Sequence, residues 1–308
     1  MKLIKCLIIN IICLILIINN SHSIENKILF KVNNEIITSV DILIELEYLK
    51  IINKEFKKTT KEKAFEISKN SLIKEKIKEI EIKKIIKEIK IEDKILNNLI
   101  LDYFKELEIK SILDFEKYFL NRSIEPKLIR KKISLELLWN QLIYSKFKHN
   151  VKINEDLIKK NLLNNKNQKE LLIAEILFNI NENEDINEKF NFIEDNIKKF
   201  NFSQTALSYS ISNTANKGGN LGWVTESVLS KKIYTKLKNL KKGDHTKPIL
   251  VPGGFLILQL LDSRKIDNKL NIDKEIKKII DKKTNQQLNR FSNIYFNKVM
   301  KDITINEL

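Results

Sequence analysis

Glycine is almost missing from these 308 residues: there are six, all between positions 218 and 254. A glycine-rich loop that cradles phosphates cannot be built anywhere else, so nucleotide chemistry of that kind is excluded. Cysteine occurs twice, at Cys6 and Cys13, both inside an apolar N-terminal run. A chain processed past that run holds no cysteine, which rules out disulfides, thiolate catalysis and cysteine metal sites. Arginine is limited to Arg122, Arg130, Arg264 and Arg290, although Lys+Arg outnumber Asp+Glu by 56 to 40 and the formal charge is +16. The lysines are spread among glutamates. A nucleic-acid surface would concentrate its cations and interleave them with arginine and exposed aromatics. The composition therefore predicts no nucleic-acid or nucleotide partner, and no cofactor or metal.

What is present begins with "MKLIKCLIINIICLILIINNSHS". Lys2 and Lys5 precede an apolar run from Cys6 to Ile18, followed by Ser21-His22-Ser23. This is the pattern of a secretory signal peptide over residues 1–23, cleaved near Ser23. The run has 13 residues, whereas spanning a bilayer takes about 20. An exported, soluble, basic protein is expected, with membrane contact only if the segment is retained.

Next, "KILFKVNNEIITSVDILIELEYLKII" (27–52) reads as a hairpin turning at Asn33-Asn34. A helix follows, capped by Thr38 or Ser39 and carrying Ile42, Leu46, Leu49 and Ile52 on one side. Ile73, Ile77, Ile80, Ile82, Ile85, Ile86 and Ile89 continue at helical spacing between Lys and Glu, the pattern of a core-facing amphipathic helix. "IKIEDKIL" (89–96) and "VKINEDLI" (151–158) each place acidic residues where a helix N-terminus favours them. Tyr103, Phe104, Phe115 and Tyr118 lie on the helical part, where such rings are more often core than ligand groove; they are its candidate polypeptide-binding aromatics. A polar linker (164–170) is followed by a strand (171–178), helices over 186–200 and 203–210, the glycine window, and a strand over Phe255–Leu261. A long helix runs from about 266 to 297, and "DITI" (302–305) reads as a last strand. The hairpin at 27–38 is expected to pair with it, because short β-branched segments at both chain ends would otherwise leave open edges.

The glycine window carries a resemblance. "AEILF" (174–178), "FSQTALSYS" (202–210), "KGGNLGW" (217–223), "LKKGD" (240–244) and "GGFLILQL" (253–260) occur in the order in which the parvulin family of peptidyl-prolyl isomerase domains carries similar motifs. A signal peptide, hairpin-to-helix segment, helical part and C-terminal helix around such a module together resemble periplasmic chaperones of the SurA type. The resemblance implies a mostly α N-terminal chaperone domain (24–163) completed by a C-terminal helix and strand (266–308). The α+β parvulin-like domain (171–265) would then be inserted between them, with an antiparallel or mixed sheet flanked by helices. It further implies a periplasmic, ATP-independent chaperone whose partners are unfolded or nascent outer-membrane proteins. An active isomerase and a membrane-anchored variant are the alternatives.

Active parvulins resemble one another in a pocket with two histidines, a Cys or Asp, a Met or Leu, and a Phe. By motif, the histidine positions fall on Glu175 and Leu256, the Cys/Asp position on Ser212, and the Phe position on Ile233. The apolar positions are kept as Leu221 and Leu229. The resemblance thus implies a parvulin scaffold with weak or no isomerase activity. Gly218, Gly219, Gly222 and Gly254 are expected to be structural, supplying positive φ and close backbone approach where the chain reverses.

Overall fold

The computed structural model describes residues 26–86, 91–164, 167–180, 184–267 and 272–308. Residues 1–23, read from sequence as a signal peptide, and Ile89 lie outside the described residues. Strands β1 (Ile28–Val32) and β2 (Glu35–Thr38) form the expected hairpin, and Asn33 takes φ +50° at its turn. Helix α1 (Ser39–Ile52) starts immediately after it. The Thr38 hydroxyl accepts from the Asp41 amide at 3.2 Å, and the Asp41 carboxylate accepts from the Thr38 amide at 2.8 Å. This reciprocal box satisfies two amides that the first turn leaves free.

Helices α2 (Lys61–Lys83), α3 (Asp93–Tyr103), α4 (Ile112–Leu120) and α5 (Pro126–Phe147) complete the helical layer, with Pro126 at the first turn of α5. The isoleucine series of α2 divides: Ile77 and Ile82 are buried, whereas Ile85, beyond the helix end, is exposed. Two of the four proposed client-binding aromatics are core. Phe104 and Phe115 are 2% and 0% exposed, and both rings pack on Phe119, with centroids 5.1 and 5.0 Å away. Burying a benzyl side chain is favourable by about 2 kcal/mol, so neither ring is available to a client. Tyr118 is half-buried, and Tyr103 reaches the Tyr48 hydroxyl.

After α6 (Glu155–Asn164), strand β3 (Asn167–Phe178) begins inside the stretch predicted to be a linker. Pairing with β6 extends the strand backwards, from Phe178↔Phe255 to Asn167↔Asp267. The sheet order is β4-β3-β6-β5, all antiparallel, with β4 (Asn220–Thr225), β5 (Ile249–Val251) and β6 (Gly254–Asp267). Alternation along β3 explains its two faces. Ala174, Ile176 and Phe178 pack under α7 (Ile186–Phe200) and α8 (Phe202–Tyr209), together with Ile193, Phe202 and Ala206. Leu171, Ile173 and Leu177 face the other way, joining Leu256 and Leu258 of β6 and Ile233 and Leu237 of α9 (Lys231–Leu237).

Helix α10 (Ile272–Met300) serves both parts of the chain. Its first half packs on the sheet through Ile279, and Ile158 of α6 joins the same cluster. Ile158, in a segment expected to belong to the helical domain, and Ile279 of the C-terminal segment thus face the module, because the leucine face of the sheet needs a cover. The second half of α10 packs on the helical layer. The buried Trp139 donates from Nε1 to Ser292 at 2.8 Å, and Phe147 stacks on Phe291 at 5.1 Å. Strand β7 (Ile305–Glu307) then pairs with β1, three residues later than "DITI" but on the expected partner. On the module's far side, Leu207 of α8 enters a cluster with Leu49, Phe56 and Ile67, and Lys74 donates to the Ser210 carbonyl at 3.0 Å.

Candidate functional site

Glu175 sits in the middle of β3 on the same face as Ile173 and Leu177, so pleating aims its carboxyl into an apolar row. The close passage of the glycine loop fixes the strand there. The Glu175 amide donates to the Gly219 carbonyl at 2.8 Å, and a Cβ on Gly219 would lie 2.1 Å from the Glu175 carbonyl oxygen. Gly222, by contrast, lies inside a strand rather than in the loop expected from sequence. It pairs with Ile173 at φ +71°, where the register shifts by one residue. Such a bulge rotates the preceding side chain, and Leu221 there lines the cavity described next.

That cavity, of about 650 Å³, is bordered by Glu175, Ser212, Leu221, Leu229, Ile233 and Leu256. All six pocket positions predicted from sequence therefore converge. The Glu175 carboxylate accepts from the Ser212 hydroxyl and, at 2.9 Å, from Thr214. Burial pushes this carboxyl above its ordinary value of 4.5, against the pull of both hydroxyls and of the Arg290 charge.

Sequence reasoning missed the roof. Lys283, Gln286, Gln287, Arg290 and Asn293 of α10 line the same space. The roof is fastened on two sides. Gln287 exchanges hydrogen bonds with the Lys152 amide and carbonyl at 3.0 and 2.8 Å, while Lys282 and Lys283 donate to the carbonyls of Trp223 and Val228 at 2.8 and 2.7 Å. The scarcity of arginine was the one available signal for Arg290. Nothing local marks a residue some 115 positions away from Glu175 as its neighbour.

A second cavity of about 620 Å³ adjoins the first and shares Ser212, Leu221, Asn289 and Asn293 with it. It lies between the helical layer and the loop 211–217, and it is lined by charge: Glu45, Lys74, Glu75, Lys78, Lys132 and Glu136. These groups are largely paired. Lys132 bridges Glu45, at 2.7 Å, and Glu75; Lys78 binds Glu136 at 2.6 Å. Burial alone would lower Lys132, but the two carboxylates hold it above its ordinary value. Lys74 has no such partner, and burial brings it down to about 8. Tyr103 borders this second cavity. Among the described residues there is no cluster of His, Cys, Asp and Glu that could hold a metal ion, and no helix long and apolar enough to cross a membrane.

A four-stranded antiparallel sheet flanked by helices, with these pocket positions on one face, defines a parvulin-type α+β domain. Residues 175–262 match the rotamase family, the PPIC-type PPIASE domain. Chaperone SurA of Pseudomonas fluorescens is 33% identical over 81 residues, covering 26% of this chain and 19% of that protein. Chaperone SurA of Buchnera aphidicola is 31% identical over 87 residues, covering 28% of this chain and 20% of that protein. The chain thus matches only about a fifth of the length of these curated relatives. A solved structure from work on PEB4 and Cj1289, two SurA-like chaperones of Campylobacter jejuni, covers 92% of this chain at 18% identity and a TM-score of 0.37. Residues 175–262 thus form a parvulin domain of the PPIC type, and this part of the chain is similar in sequence to Chaperone SurA.

Proposed function

We propose that this protein is a periplasmic, ATP-independent chaperone for unfolded outer-membrane proteins, whose parvulin domain binds polypeptide and isomerises prolyl bonds weakly or not at all. One observation carries the reading: the carboxyl that stands where active parvulins have a histidine is buried and tied to Ser212 and Thr214, with apolar Leu256 and Ile233 at the other histidine and the Phe positions. Rotation about a peptide bond faces a barrier of about 18–20 kcal/mol. A catalyst must bind the twisted bond better than the planar one, and hydrogen-bonding groups free to follow the rotating amide would supply that preference. Glu175 already has its partners, while Leu256 and Ile233 offer only apolar contact. What remains is a concave, mostly apolar site with a few polar groups, the usual form of a binding pocket.

The division of labour follows. Residues 24–163 and 266–308 hold clients, with Tyr103 and Tyr118, of the four candidate aromatics, left partly accessible, and the module adds a second surface. The signal-like residues 1–23 support export. The test is a parallel assay on the purified chain, scoring prolyl isomerisation of a short peptide and suppression of aggregation of an unfolded outer-membrane β-barrel. Suppression with isomerisation near background is expected. Isomerisation at the level of an active parvulin domain would overturn the binding-only role, and failure to suppress aggregation would overturn the chaperone reading.

A further inference from the structure

The cavity under α10 has both apolar and polar walls. Ile153, Leu157, Leu229, Ile233 and Leu256 are among its apolar lining, and the lining residues Leu157 and Lys231 are exposed. Ser212, Leu221, Asn289 and Asn293 form the boundary with the second cavity. Arg290 lies on that side as well: it is one helical turn from Asn293, so the two share a face of α10, and its charge acts on Glu175, the carboxyl that Ser212 holds.

Two of the roof's other long polar side chains are committed, and Gln286 carries no charge. Gln287 is clasped to Lys152, and Lys283 to the Val228 carbonyl. Arg290 is partly buried and lines the cavity, yet it makes no hydrogen bond or ion pair among the described residues. A guanidinium offers five donors in a planar fork and loses hydration on burial, so an anion of matching shape is its natural complement. Glu175 does not fill that role within ion-pair distance, and its raised pKa limits the negative charge it brings.

We propose that this cavity takes the C-terminal end of an unfolded polypeptide, with apolar side chains against the leucine and isoleucine lining and the terminal α-carboxylate on Arg290. The proposal rests on the reading of the cavity as a peptide site and names the segment it selects. A chain end fits better than an acidic side chain within a continuing segment. Beyond Ser212 and Asn293 the continuing chain would enter the space lined by the charged groups Glu45, Glu75, Glu136, Lys74, Lys78 and Lys132. An apolar segment there would cover those charges without replacing their water, whereas a chain that stops at Arg290 places its only charge beside a cation without an ion-pair partner among the described residues. The selecting cation comes from outside the parvulin domain, since α10 lies beyond residues 175–262.

The experiment uses the full chain and a fluorescently labelled apolar hexapeptide, prepared as the free acid and as the C-terminal amide, with binding followed by anisotropy at low salt. The free acid is expected to bind about tenfold more tightly, the effect of one charge-assisted contact. Arg290→Gln should bring the acid down to the affinity of the amide while leaving the amide unchanged, and Arg290→Lys should keep part of the preference. An unchanged melting temperature in both variants would show that the loss is local. Equal binding of acid and amide by the unsubstituted chain overturns the inference and leaves the peptide site standing. An amide peptide with an internal glutamate that binds as tightly as the free acid overturns the chain-end assignment. Binding of neither peptide removes the peptide site itself, and this inference with it.

Discussion

Two buried glutamates show how differently the helical layer and the parvulin module treat charge. Glu79 of α2 is 2% exposed and bound by Lys131 at 2.8 Å and Lys83 at 2.9 Å. Burial would raise its pKa, but the lysines hold it at about 2. Glu175 of β3 has hydroxyl partners and an arginine that does not reach it, so burial wins and its pKa rises. The same contrast separates the adjoining cavities, which are nearly equal in volume. One is walled mainly by ion pairs, with Lys74 on the Ser210 carbonyl, and the other largely by apolar side chains with an uncommitted guanidinium. Pairing, and not size, distinguishes a structural cavity from one with something left to bind.

The hardest blow to the helical side is Lys132→Met, which strands Glu45 and Glu75. A loss of about 3–5 kcal/mol is expected in urea unfolding. Replacing Glu45 and Glu75 with apolar residues in the same chain should recover much of it, and a single substitution without effect would mean that the network is not a coupled unit. On the module side, Gly219→Ala forces a side chain into the Glu175 carbonyl at positive φ. About 2 to 4 kcal/mol should be lost, together with the environment of Trp223 as seen by fluorescence.

The two glutamates provide the finer comparison. Glu79→Gln should cost about 2 kcal/mol at neutral pH. Because the folded pKa is depressed, that contribution is present above the ordinary 4.5 and fades as pH falls towards 2. Melting curves of variant and parent should therefore converge in acid. Glu175→Gln has the opposite sign and the smallest effect. Its folded pKa is raised, so ionisation weighs against the fold as pH climbs through 4.5 and beyond. The variant should melt slightly higher than the parent at neutral pH and equally at low pH. A lower melting temperature at neutral pH would show that the carboxylate is worth more than its burial costs.

Much of this was legible in the sequence, for local reasons. Thr38 and Asp41 stand three residues apart, as a capping box requires, and Asn33 tolerates the left-handed turn before them. The helix over 186–200 follows from its spacing, and the six pocket positions follow from motif order. The aromatics misled because Phe104 and Phe115 have the same local pattern whether they face a client or Phe119, and only packing separates the cases. The linker prediction failed at residues 167–170 because strand formation there depends on pairing with residues 264–267, nearly a hundred positions away.

By itself, the sequence determined the parts with short-range causes: a parvulin domain in which Gly219 and Gly254 sit where backbone must pass close, a chain without cysteine beyond its N-terminal run, and a set of pocket positions that includes Glu175 and Leu256. The tertiary structure decided what those parts do together. Whether Glu175 is charged depends on which cations reach it, and that was set when α10 folded over the sheet and brought Arg290 near it while Lys131 and Lys83 went to Glu79. Burial and Coulomb energy depend on distances between residues far apart in the chain, and only the folded chain fixes those distances.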